Sequence, residues 1–351
     1  MSTIMTWNRD WTKPAKNIFE AFNIQHGDKF LILYNKAPHG KIYLIEALEA
    51  LAKKNDITAK TMTLTLDDSF NITSIETELR QFFEGTISSQ RKCFFTTSRV
   101  YFGPARRAVH KLISVDPSGL CGYTISLPTD DADIVYNLAE TPPNELLANG
   151  ERLKKILSQA TKVHITSEKG TNISFLWNAS RRKYLISAGF PDQHEDRWDN
   201  LGGEVFTAPI HETVNGRLVI DGAIANMGLF DGTVVVDITN GKGVINRKQS
   251  TASPKILDEF HKELTMCKGA DIVGEFGVGT TPNLKFTGDL LNDEKIEGTI
   301  HIAFGDSYAA DGSGGENDSD NHSDCMITSP TIDLTINGKT APFMRSGKFL
   351  I

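Results

Sequence analysis

Two Asn-Gly dipeptides limit most tightly what this chain can fold into. Asn240-Gly241 follows an apolar run at 233–238, and Asn337-Gly338 follows one at 331–336. Asn-Gly between such runs is the strongest short signal for a two-residue β-hairpin turn. Further strand patterns at 162–166, 173–177, 217–220, 243–246 and 299–304 surround them, with one helical pattern at 253–268. The second half therefore predicts an α+β domain built mainly on antiparallel strands. The first half reads differently. Helical spacing at 14–22, 42–52, 74–84 and 105–113 alternates with strand patterns at 29–34, 58–66 and 93–97. That alternation predicts a doubly wound α/β domain, with a mostly parallel sheet covered on both faces. Residues 128–149 carry paired Asp and paired Pro, and a helix is expected at 151–160. The expected domains are 1–150 and 151–351.

A chain of 351 residues can bury two such cores. Its net charge of −7, without any Lys/Arg run, leaves nothing to neutralise a phosphate backbone. Neither nucleic acid nor an anionic membrane surface is an expected partner. Cys93, Cys121, Cys267 and Cys325 are far apart and form no CxxC pair, so free thiols are expected rather than a disulfide framework or a zinc ribbon. The N-terminus lacks a basic start before an apolar run, and no stretch has the length of a membrane span. A cytoplasmic protein is expected.

Chemistry concentrates in 301–324. His301, Tyr308, His322 and Asp324 fall within two dozen residues, around a loop rich in Gly and acids at 311–321. Imidazole nitrogens and carboxylate oxygens are the donors that divalent cations take. Period-two alternation at 299–304 puts His301 with Thr299 and Ala303 on one strand face, opposite Ile300, Ile302 and Phe304. In His322-Ser323-Asp324 an extended backbone turns both ligating side chains to one side. Two upstream carboxylates sit in glycine-flanked strands: Glu204 after Gly202-Gly203, and Glu275 between Gly274 and Gly277. Glu204 reads most simply as a solvated strand end. Glu275, among Ile272, Val273 and Phe276, reads as partly buried, so it needs a partner or a metal. The loop reads as a mobile rim. Arg181-Arg182-Lys183 reads as a solvated basic turn, and His164, His194 and His211 as structural or surface groups.

These stretches together resemble the metal-dependent aminopeptidases of the aminopeptidase T family. The likeness rests on 202–225, on GEFGVGTTPNL from Gly274, on LLNDEKIEGTIHIAFGDSY from Leu290 and on the run ending at Asp324, and spans roughly 160–351. The resemblance implies metal ligands at Glu204, Glu275, His301, His322 and Asp324, and an active-site tyrosine at Tyr308. It also implies two divalent metal ions (zinc, cobalt or manganese), a homodimer, and a small peptide as substrate. A metal-activated water would then attack the peptide, with Glu275 or Glu204 moving the proton and Tyr308 facing the oxyanion. Members commonly carry Trp where this chain has Ser323, which the resemblance reads as an altered pocket wall.

A second branch of the same fold resembles iron-dependent ring-cleaving dioxygenases of the 2,5-dihydroxypyridine type, for which His301, His322 and Asp324 would form a 2-His-1-carboxylate set. Retention of both glutamates favours the hydrolase. A specialised or inactive family member in a biosynthetic pathway, and a structural metal site without turnover, complete the alternatives. Oxygen-rich donors beside a glycine loop fit an open catalytic site better than a closed structural one.

Overall fold

The computed structural model describes residues 9–35, 41–64, 72–97, 112, 120, 122–127, 129, 131–194, 197–308 and 312–350. It has a mixed α/β architecture with seven helices and three sheets among those residues. The helix expected at 105–113 and Cys121 lie outside them, save for Leu112.

The chain divides into two compact units, 1–146 with 187–202, and 147–186 with 203–351. The first is built on α1 (Thr12–Ala21), β1 (Lys29–Asn35), α2 (Lys41–Lys54), β2 (Thr58–Leu64), α3 (Ile72–Phe83), β3 (Lys92–Thr96), β4 (Tyr123–Ser126) and α4 (Ala132–Glu140). Its sheet is parallel, in the order β2-β1-β3-β4-β8, where β8 is Trp198–Asn200. Alternation along β1 explains the two covered faces. Phe30 points to α1, with rings of Phe19 and Phe22 at 5.1 and 5.7 Å. Leu31 and Leu33 point the other way, into a cluster with Leu79 and Phe83 of α3 and with Trp198. The fifth strand therefore comes from the later part of the chain, a return that no local pattern announces.

The helix expected at 151–160 is longer and earlier: α5 runs Pro143–Leu157, so most of the Pro-rich stretch is helical. Pro143 sits at the first helical position, where a missing N–H is harmless. Asp131 caps α4 by accepting from the amides of Asp133 and Ile134. Gly150 lies mid-helix, where a Cβ would press on Ile186.

The second unit has an antiparallel sheet of β5 (Lys162–Thr166), β6 (Asn172–Leu176), β10 (Asn215–Ile220), β11 (Val234–Thr239), β12 (Lys242–Ile245), β16 (Thr331–Ile336), β17 (Lys339–Arg345) and β18 (Lys348–Phe349), in the order β12-β11-β10-β6-β5-β16-β17-β18. Both Asn-Gly pairs make their turns with two positive φ values, +50° and +80° at 240–241, +51° and +74° at 337–338. A third sheet, in the order β15-β14-β13-β9-β7, uses β7 (Leu185–Ser187), β9 (Glu204–Thr207), β13 (Val273–Gly279), β14 (Ile300–Gly305) and β15 (His322–Ile327). Its apolar face is covered: Phe276 meets Phe175 of β6 at 5.3 Å, and Phe304 meets Phe260 of α6 (Pro254–Thr265) at 6.2 Å. The last helix, α7, is Leu290–Asp293.

Candidate metal centre

Register gathers the five candidate ligands onto the other face of the third sheet. His301 lies opposite Gly277, Asp324 opposite Ala303, His322 opposite Gly305, Glu275 opposite Ala303, and Glu204 opposite Gly279. Directly opposed residues share a face, so every ligand-type side chain is set among glycines and an alanine. Gly277 is the clearest case, since a Cβ at that position would overlap the His301 ring. The small neighbours are what leave space for two imidazoles and three carboxylates.

The donors converge. His301 Nε2 lies 2.9 Å from Glu275 Oε1, 3.5 Å from Glu204 Oε2 and 3.9 Å from Asp324 Oδ1. His322 Nε2 lies 3.4 Å from Glu275 Oε2 and 3.3 Å from Asp324 Oδ1. Ligand atoms of Glu204, Glu275 and His301 fall within 4.8 Å of one another, as do those of Glu275, His322 and Asp324. Glu275 belongs to both groups and gives one oxygen to each imidazole. Glu204, expected as a solvated strand end, is buried, with Lys295 and His301 beside its two oxygens.

Two features fit a cation. Glu204 Oε2 is buried without a hydrogen-bond partner, and an orphaned carboxylate oxygen inside a protein costs free energy unless a charge meets it. His322 Nδ1 faces the Asp306 carbonyl at 2.9 Å, which fixes the proton on Nδ1 and turns the Nε2 lone pair toward the carboxylates.

Mutual charge sets the protonation. Burial pulls the His301 imidazole down, but the Glu275 bond and the Asp324 charge outweigh it and push it up to about 10. His322 is raised well above the usual imidazole range for the same reason, against burial and chiefly by Asp324. Burial alone would raise Asp324, yet His322 brings it down to about 2. Glu275 is also lowered, the two imidazoles overcoming desolvation, whereas desolvation wins at Glu204 and raises it. A cation entering here would displace protons from both rings.

Sequence reading missed Lys295 and Glu294. Lys295 is fully buried, its Nζ bonded to Glu204 Oε1 and 3.1 Å from Glu294 Oε1. Desolvation raises Glu294 to about 8, leaving it largely protonated at neutral pH. The run Asp293-Glu294-Lys295 looks like a solvated charged turn. Burial follows from the cap of α7 and from Asp293, which accepts from the amides of Thr287 and Gly288 and folds the segment inward.

Tyr308 stands beside the cluster at φ +50°, its ring 4.5 Å from that of His322 and 6.1 Å from Phe206. The loop expected to be a mobile rim is tied down over its described part. Ser313 Oγ donates to the carbonyls of Ser307 and Tyr308, and Asn317 Nδ2 to those of Gly269 and Gly305. Arg182, expected in a solvated turn, is buried and donates to the Gly314 carbonyl at 2.5 Å. Ser323 does not line the site. It pairs with Phe304 on the apolar face, because it alternates with its two ligand neighbours.

A second acidic group, His211, Glu212 and Glu316, lies elsewhere on this unit. Arg181 and Arg182 already pair with its carboxylates and hold Glu316 down to about 2. A dication would have to displace two guanidiniums there. Among the described residues no helix is long and apolar enough to cross a membrane.

The family model for thermophilic metalloproteases (M29) matches residues 144–349, which include all five ligand positions. No curated protein sequence matches the chain. Several solved structures share its fold, two of them over nearly the whole chain. The 2,5-dihydroxypyridine dioxygenase of Pseudomonas putida KT2440 superposes with a TM-score of 0.69 at 13% identity, over 97% of this chain and 96% of its own. AmpT from Thermus thermophilus superposes with a TM-score of 0.64 at 18% identity, over 97% of this chain and 99% of its own.

Proposed function

Because this chain belongs to the thermophilic metalloprotease (M29) family, we propose that it is a metal-dependent aminopeptidase releasing N-terminal residues from short peptides. The observation that carries this reading is the division of Glu275, which offers one oxygen to the His301 group and one to the His322 group. A carboxylate so placed suits two divalent cations, zinc, cobalt or manganese, held by Glu204, Glu275 and His301 on one side and by Glu275, His322 and Asp324 on the other. Bound cations supply a water of lowered pKa and a Lewis acid for the scissile carbonyl. The chain supplies the rest. With cations bound, Glu275 or Glu204 would take the proton from that water on an oxygen the cations leave free and pass it to the leaving amine. Tyr308, its ring 4.5 Å from that of His322, would donate to a developing oxyanion. Lys295 orients Glu204.

A second reading has its own support. His301, His322 and Asp324 alone, with Asp324 Oδ1 at 3.9 and 3.3 Å from the two rings, make a 2-His-1-carboxylate set for iron and ring cleavage of a hydroxylated N-heterocycle. Metal analysis of the purified protein decides between them, together with assays on aminoacyl anilides and dipeptides under air and under anaerobic conditions. Oxygen-independent, chelator-sensitive release of N-terminal residues is expected, abolished by Glu275→Gln. One iron per chain with oxygen consumption on a hydroxypyridine would replace the first reading by the second.

A further inference from the structure

The two halves of the cluster are not electrically equal. At one end Glu204 already meets a cation, since Lys295 Nζ, with no exposure to solvent, bonds its Oε1 and leaves only Oε2 open. At the other end Asp324 meets imidazoles, His322 at 3.3 Å and His301 at 3.9 Å, whereas the ion pairs of Lys295 are with Glu204 and Glu294. Glu294 Oε1 lies 3.1 Å from the same ammonium, and burial favours its neutral form, which leaves the ammonium's charge in place. Charges a few ångströms apart in a desolvated site act strongly on one another.

We infer that Lys295 ranks the two cation positions: the one at Glu275, His322 and Asp324 fills first, and the one at Glu204, Glu275 and His301 fills second and more weakly. This rests on the metal-centre reading above. The fixed ammonium neutralises much of the attraction of Glu204, repels an incoming dication, and restricts Glu204 to a single open oxygen. Lys295 is thus a positioning residue that touches a ligand and not the metal. A merely structural lysine would stabilise the fold without affecting the relative affinities of the two positions.

The test is calorimetric titration of the metal-stripped, full-length protein with zinc, paired with metal counts after dialysis. Two steps are expected in the unmodified protein, the second weaker by about 10- to 100-fold, the range in which groups that orient ligands act. Asp324→Asn should remove the tight step and Glu204→Gln the weak one. Lys295→Met, neutral and similar in length, should tighten the weak step toward the strong one. Equal steps in the unmodified protein overturn the inference without any variant, which covers the case of a Lys295→Met chain that does not fold. An unchanged ratio of affinities in a folded Lys295→Met protein overturns it as well. Binding of no cation at all defeats the metal-centre reading itself, a different result from two equal sites.

Discussion

Two buried histidine–carboxylate pairs in this chain use the same side chains to opposite ends. In the first unit, Asp199 lies 3.5 Å from His194. Its Oδ1 accepts from Ser187 Oγ and the Asn200 amide, and its Oδ2 from the amides of Ala188 and Phe190. In the second unit, Glu275 lies 2.9 Å from His301. There the carboxylate is met by two imidazoles, while Glu204 Oε2 and His301 Nδ1 have no hydrogen-bond partner. Asp199 is a closed knot that fixes backbone. Glu275 belongs to a cluster with valence left over. Both pairs are buried; what differs is whether the carboxylate's hydrogen-bond capacity is taken up by backbone amides and a hydroxyl.

The largest effect that could break this contrast is in the closed pair. Asp199→Ala leaves three amides, a hydroxyl and His194 without their common acceptor. It should cost about 3–5 kcal/mol of stability, read by denaturant unfolding, and leave metal stoichiometry unchanged. Loss of bound metal in a folded Asp199→Ala protein would erase the distinction. The same carboxylate sets a pH dependence. Burial raises Asp199, but the His194 charge and the hydrogen bonds outweigh it and hold its carboxyl below the usual aspartate range. Its stabilisation is therefore complete above the unfolded value of about 3.9 and is lost as pH falls through the lower folded value. Stability followed below about pH 4 should show this loss, and Asp199→Asn should flatten it.

The open cluster makes the converse prediction. A divalent cation at a hundred times its Kd should stabilise the protein by about 2.7 kcal/mol, seen as a rise in Tm that Glu275→Gln removes. A rise that persists in Glu275→Gln would place the bound cation elsewhere. Next in size is Gly277→Ala. The added methyl group would overlap the His301 ring, so the ring must turn from Glu275, and metal affinity should fall about 10- to 100-fold. Secondary structure measured by circular dichroism should stay as it was.

How much of this was legible beforehand follows from the range of the forces involved. The hairpins were, because Asn240-Gly241 and Asn337-Gly338 encode their turns locally. The period-two face of His301 was, because alternation is a property of a single strand. Convergence of Glu204 with Glu275 was not, since it depends on the register of β9 against β13, which adjacent residues do not set. The same holds for β8, whose Trp198 joins a sheet formed mainly by 29–126. Lys295 was hidden because Asp293-Glu294-Lys295 has the composition of a solvated turn, and only the packing around Asp293 buries it. Arg182 was misread for a similar reason: its acceptors, the carbonyls of Pro209 and Gly314, are distant in sequence.

The smallest effect tests whether the two faces of the third sheet are independent. Ser323 lies between His322 and Asp324 in sequence, yet alternation turns it to the opposite, apolar face beside Phe304. Its Oγ is fully buried without a hydrogen-bond partner. An unmet hydroxyl is a net loss, so Ser323→Ala should stabilise the protein by about 1 kcal/mol, measured by denaturant unfolding at constant slope. Both metal affinities should be unchanged, since the altered atom is separated from the ligands by the sheet backbone. A gain in stability with unaltered metal binding would show that ligand geometry is set by register and not by what packs behind it. A fall in metal affinity would mean that β15 moves as one body, and that the apolar face helps to aim His322 and Asp324.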